Sequence, residues 1–200
     1  MTKAIDLNQQ EEHLFAVLSS KRFLQMEGLS KEVPFFIYPY PPESALAVAQ
    51  AKKRVKNKLS QRGIAVREVN LYDLSIEILK ERGVWDRILQ VEPDQDKDDF
   101  REMLQAMLDP QLHVAPAIRA KIEDGDFDIF FLTGIGEVFP YIRSHNVLNN
   151  LQSVVTGKPM LMFLPGRYEQ SDTLGSSLVL FGRLKDDQYY RAKNILEQEV

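Results

Sequence analysis

Phe127-Asp128-Ile129-Phe130-Phe131-Leu132-Thr133-Gly134-Ile135-Gly136 is the stretch on which the fold turns. From Phe127 to Leu132 only Asp128 is polar, so the alternation of a strand with one wet face is missing. A continuous apolar run of this length, closed by a glycine turn, reads as a strand buried on both faces. Such strands belong to parallel sheets covered by helices on each side.

Working outward, the same texture recurs at Val33-Pro34-Phe35-Phe36-Ile37-Tyr38 and from Met160 to Leu164. Further strands are expected at Ile64 to Val69 and Ser177 to Phe181. Helical spacing fills the intervals. Leu14, Phe15 and Leu18 mark a helix from Glu12 to Gln25, and Ala45, Val48, Val55 and Leu59 share one face of a helix from Glu43 to Arg62 that Gly63 closes. Leu74, Ile78 and Leu79 mark a short helix ending at Gly83, Leu148, Leu151 and Val155 one from Tyr141 to Val155, and a last helix is expected from Asp187 to Glu197. Pro39, Pro41 and Pro42 are expected to break the first strand, and Pro165-Gly166 to turn the chain. The reading is an α/β chain: one domain over residues 1–200, a mainly parallel sheet with helices on both faces, and a helical insertion at about 83–125. Within the insertion, Glu92 to Asp99 holds five acids in an exposed loop, and Phe100, Met103, Leu104, Met107 and Leu108 form the strongest amphipathic pattern in the chain.

Composition narrows the chemistry. The 200 residues contain no cysteine, which excludes disulfides and thiolate sites, and the net charge of −4 gives no general attraction to nucleic acid or acidic lipid. No apolar run approaches the ~20 residues of a membrane span, and Met1 to Glu12 lacks the pattern of a signal peptide, so a cytoplasmic protein without a membrane partner is expected. His13, His113 and His145 are far apart in sequence, so no metal is expected.

In open α/β sheets ligands sit beyond the carboxyl ends of strands. At the first such end, Pro39, Pro41 and Pro42 occupy the place where a phosphate loop needs glycines and free amides, which argues against nucleotide hydrolysis. At the second, Gly134 and Gly136 begin a G-x-G pattern whose third glycine position is Phe139, and either a tight turn or close approach of a ligand or partner accounts for them. Glu137, Arg143, His145, Asn149 and Asn150 follow, with Arg143 suited to a carboxylate. Arg167, at the third end, completes this candidate partner or ligand surface. A separate candidate is the helix from Lys52 to Arg62, with six basic residues and no acid, where Lys52, Lys53 and Lys56 are candidate nucleic-acid contacts.

The stretch from Phe131 through Thr133-Gly134-Ile135-Gly136-Glu137-Val138-Phe139-Pro140-Tyr141-Ile142-Arg143-Ser144-His145-Asn146 to Gln152 resembles the BrxB family of bacteriophage exclusion (BREX) systems, as do Pro165-Gly166-x-Tyr168 and the run Leu180 to Ala192. The resemblance implies a non-catalytic accessory of a phage-defence complex with no cofactor, a core like that of a P-loop ATPase without its phosphate loop, and a PglZ-type protein and other BREX components as partners. It brings no catalytic residues. The competing expectations are a nucleotide- or small-ligand-sensing domain using Gly134, Gly136, Arg143 and His145, and a nucleic-acid module using the basic helix.

Overall fold

The computed structural model describes residues 7–27, 35–171, 175–185 and 192–200. In chain order its helices are α1 (Leu7–Leu18), α2 (Lys21–Leu24), α3 (Ala45–Gln61), α4 (Leu71–Glu81), α5 (Trp85–Val91), α6 (Lys97–Met107), α7 (Ala115–Ile122) and α8 (Ser144–Leu151). The strands are β1 (Phe35–Tyr40), β2 (Val66–Asn70), β3 (Ile129–Thr133), β4 (Met160–Ser171), β5 (Gly175–Leu180), β6 (Leu184–Lys185) and β7 (Lys193–Asn194).

β3 is buried at every residue, as its unbroken apolar run requires, and β2 and β4 flank it in parallel register. The sheet order is β2-β3-β4-β1-β7, and β1 pairs in parallel with both β4 and β7. The two-residue period of the strands separates two cores. Phe130, Leu132, Met160, Met162, Phe35 and Ile37 pack beneath α4 to α8. Ile129, Phe131, Leu161, Phe163, Phe36 and Tyr38 pack beneath α1 and α3. On the second face the Phe131 and Phe163 rings meet edge-on at 5.2 Å, a favoured aromatic geometry.

Local chemistry sets the helix ends. Asn70 caps α4 through Oδ1, which accepts from the Tyr72 and Asp73 amides, and Asp96 caps α6 in the same way. Ser20 Oγ accepts from the Phe23 amide, so the helix expected from Glu12 to Gln25 is two helices, α1 and α2, divided at the cap. Asp109 accepts from the Gln111 and Leu112 amides and opens a π-helical turn, Pro110–Val114, that leads into α7. Gly63 takes the left-handed conformation, φ 75°, after α3.

Four further expectations are corrected. β1 runs on through Pro39 to Tyr40; β7 accompanies it only at Phe36 and Ile37, and a proline is tolerated where a strand is paired on one side. Pro165-Gly166 is not a turn: β4 continues through it as strand, leaving β1 and β3 and pairing antiparallel with β5 from Gly166 to Ser171. The helix expected from Tyr141 starts at Ser144, because Arg143 is extended (φ −90°, ψ 133°) and the residues before it form turns. The helix expected from Asp187 to Glu197 falls partly outside the described residues; where described, Lys193–Asn194 is strand β7 and Ile195–Glu197 a 3-10 turn. Among the described residues no helix is long and apolar enough to cross a membrane.

Candidate functional site

The carboxyl ends of β1 and β3 frame the crevice where this class of sheet binds ligands. β1 leaves toward α3 on one face and β3 toward α8 on the other, with β4 between them. On the β3 side the chain fills this crevice itself. A Cβ on Gly136 would lie 2.8 Å from Pro165 and 2.9 Å from the Phe181 ring. Phe181 is fixed by its amide, which donates to the Pro165 carbonyl at 2.7 Å, and by an edge-on contact with Phe139 at 6.3 Å. Gly134, at φ 76°, leaves room for the Asn70 cap: a Cβ there would lie 2.9 Å from Asn70 Cγ. Both glycines therefore make space for the chain's own side chains, where the sequence left a partner or ligand open.

Tyr38 and Tyr40 stand on the β1 side. Burial first, then the charge of Glu11 and neighbouring Tyr40, pushes the Tyr38 phenol up to about 12; burial, then the charge of Glu137, does the same for Tyr40. Both stay protonated at neutral pH. Tyr38 uses its hydroxyl to donate to Gln10 Oε1 at 2.9 Å. Neither is a ready nucleophile. Beyond them an open groove of about 520 Å³ lies between Pro39–Glu43 and Gly166–Glu169, with Phe181 at its edge. Arg167 lines it, donating to the Gly182 carbonyl at 3.3 Å and lying 3.5 Å from Glu169.

The remaining candidates are dispersed. Glu137 lines an apolar groove against α4 and α5. Arg143, exposed, lines a depression of about 270 Å³ with Arg183, Phe139 and Leu180. His145 is buried in α8, Asn149 is exposed, and Asn150 donates to the Asn146 carbonyl at 2.7 Å while facing a depression beside α7. The single surface read from spacing is thus several surfaces, because the residues before Ser144 are turns and share no helix face with those after it.

The basic helix is also redirected. Lys52 and Lys56 both bind Glu68 of β2, Lys56 at 2.5 Å, and Thr133 Oγ1 donates to the same carboxylate at 3.2 Å. Burial alone would raise the Glu68 carboxyl, but hydrogen bonds and charge from the two lysines hold it below its usual range. Arg54 and Lys58 bind Glu11 of α1, and Arg62 lies on the Phe15 ring, 4.6 Å from its centre. Lys53 alone of the six is simply exposed to solvent. A helix that reads as a phosphate-binding stripe is instead an ion-paired clamp between α1, α3 and the sheet. Among the described residues no group of three His, Cys, Asp or Glu side chains is placed to hold a metal ion.

A family model described as BREX protein BrxB matches residues 67–195, from β2 to the last 3-10 turn, and so spans the β3 crevice and the β4–β5 hairpin. The chain belongs to the BrxB family. A BREX protein BrxB of Bacillus cereus (strain H3081.97) is 34% identical over 200 residues, covering 96% of this chain and 98% of the relative. A BREX protein BrxB of Escherichia coli O9:H4 (strain HS) is 30% identical over 175 residues, covering 88% of this chain and 84% of the relative. No solved structure matches.

In this BrxB-family chain the residues that shape the crevice, Asn70 and Phe181, escaped the sequence reading. Asn70 carries a legible signal, an asparagine directly before a helical apolar pattern. Phe181 carries none: its role depends on β4 continuing past Pro165, and its left-handed backbone (φ 54°) is unusual for a bulky residue.

Proposed function

We propose that this chain acts in BREX phage defence as a non-catalytic adaptor, working through protein–protein contacts, with a PglZ-type protein as its direct partner. Family membership ties it to BREX systems and to association with other BREX proteins. The observation that carries the adaptor reading is the filled β3 side of the crevice: Pro165, Phe181 and Asn70 occupy the space beside Gly136 and Gly134, where the glycine turn would otherwise admit a nucleotide or small ligand. The proline-rich end of β1 supports it, since Pro41 and Pro42 offer no amide at the turn into α3. Depressions lined by unpaired surface side chains, such as the one holding Arg143 and Arg183, suit contact with another protein.

The test is titration of the purified chain with a purified PglZ-type protein, by size-exclusion chromatography and calorimetry. A stable complex is expected. No heat and no co-elution at ~10 μM would put the affinity weaker than about −7 kcal/mol and overturn direct partnership. Co-purification from cells carrying the whole operon then identifies any other BREX component held in its place.

A further inference from the structure

We infer that the groove between α4, α5 and α6 docks a positively charged amphipathic helix of a partner protein; this rests on the protein-contact reading above. The groove is walled by Tyr72 and Ile76 of α4, Trp85 and Leu89 of α5, Phe100 of α6, and Tyr141. Tyr72 and Leu89 are each 48% exposed, which is unusual for large side chains that also line a concave apolar surface. The cavity is about 220 Å³. Ligand pockets usually start at about 300 Å³, so this one suits a few anchoring side chains and not a cofactor. Aromatic side chains in such a setting are the usual energetic centre of a protein interface.

Charge selects the occupant. Residues 71–108 contain ten acids and five bases, while the rest of the chain contains 19 acids and 20 bases. The net negative charge of the protein therefore resides in this one helical lobe. Glu92 and Glu137 line the groove itself, and the acidic segment from Glu92 to Asp99 runs along its α5–α6 side. Of the five bases, Arg82 donates to the Met107 carbonyl, Arg101 is paired with Asp98 and Lys80 lies over the Trp85 ring. The field around the groove repels phosphate and acidic lipid and attracts a basic segment. The walls are helices and the turn that carries Glu137 and Tyr141, with no strand edge among them, so the fitting mode is an amphipathic helix laid into a groove, its apolar anchors at i, i+3 or i+4 and its lysines or arginines facing the acidic rim.

The experiment places photo-crosslinking benzoylphenylalanine at Leu89, and separately at Leu112, which is 69% exposed but lies outside the groove, in the full chain expressed with the complete BREX operon. After irradiation the crosslinked peptide is mapped by mass spectrometry. The expected result is an adduct from position 89, absent from 112, to a partner segment with apolar residues at helical spacing and net positive flanks. A synthetic peptide of that segment is then expected to bind the unmodified chain, with about tenfold loss for Leu89→Asp and about threefold loss, with a shallower salt dependence, for the exposed Glu92→Lys. Equal peptide affinity in both folded variants overturns the proposal. So does no adduct at 89, or an adduct to an acidic segment, to nucleic acid, to lipid or to a second copy of this chain. Co-elution with the PglZ-type protein without any adduct at 89 refutes the groove and leaves the adaptor reading standing; loss of both refutes both.

Discussion

Removing the Glu68 carboxylate should loosen the joint between α3 and the sheet. Its side chain is 19% exposed, and those of Lys52 and Lys56 are 19% and 32% exposed. The cluster therefore lies between an exposed ion pair, worth about 0–1 kcal/mol, and a buried one, where loss of one partner costs about 3–5 kcal/mol. Glu68→Ala strands two partly buried ammonium groups and removes the acceptor of Thr133 Oγ1, so about 2–3 kcal/mol is expected. For a chain of this size that is roughly 5–10 °C in Tm. The pH dependence gives a second readout. Glu68 is held below its unfolded pKa, so its contribution is fully present above that unfolded value and is lost as pH falls through the depressed folded value. Glu68→Gln should therefore flatten the acid limb of a Tm-against-pH curve and leave the parts owed to Glu11, whose carboxyl Arg54 and Lys58 lower, and to Asp124, whose carboxyl Arg67 lowers. The assay is thermal unfolding from pH 3 to 8 on parent, Glu68→Ala and Glu68→Gln. A Tm for Glu68→Ala within 1 °C of the parent at pH 7, or an unchanged acid limb in Glu68→Gln, would refute the clamp.

Three further outcomes are expected. Gly134→Ala should cost about 2–3 kcal/mol, by forcing a side chain into the left-handed region and against the Asn70 cap; Asn70→Ala alone should cost about 1 kcal/mol, and the double variant should be less destabilised than the sum, as denaturant melts would record. Arg143→Ala should abolish phage protection in a plating assay while moving Tm by no more than about 1–2 °C, since Arg143 is exposed; protection that falls only in step with folded protein would return it to a structural role. Chain purified to homogeneity should not hydrolyse ATP above background, and turnover removed by Ser44→Ala would contradict this.

What could be read from sequence was what depends on near neighbours. Ile129 to Leu132 and Met160 to Leu164 announced themselves because a strand buried on both faces needs apolar residues at every position. The spacing of Val48, Val55 and Leu59 gave the buried face of α3 for the same local reason. The site was less legible because its geometry is non-local. Six basic residues on one helix look like an open cationic face until Glu11, 43 residues from Arg54, and Glu68, 16 residues from Lys52, are folded against them. Pro165-Gly166 has the composition of a turn, and pairing with β1 at Pro165 and with β5 at Gly166 keeps it extended. Gly134 and Gly136 are places of close approach, but what approaches is Asn70, Pro165 and Phe181, which no spacing rule connects to them.

The twelve residues of β4 are divided between two pairings, Met160–Pro165 in the parallel sheet and Gly166–Ser171 against β5, and this has a mechanical consequence. At about 3.3 Å per residue the strand is roughly 40 Å of extended chain, anchored between β1 and β3 at one end and paired with β5 at the other. A partner that tugs the hairpin along the strand axis loads the hydrogen bonds of Met160 to Leu164 side by side, in shear, so they resist together and do not unzip one after another. Force or displacement applied at the hairpin is thereby delivered undivided to the middle of the sheet, beside the crevice that Pro165 and Phe181 close.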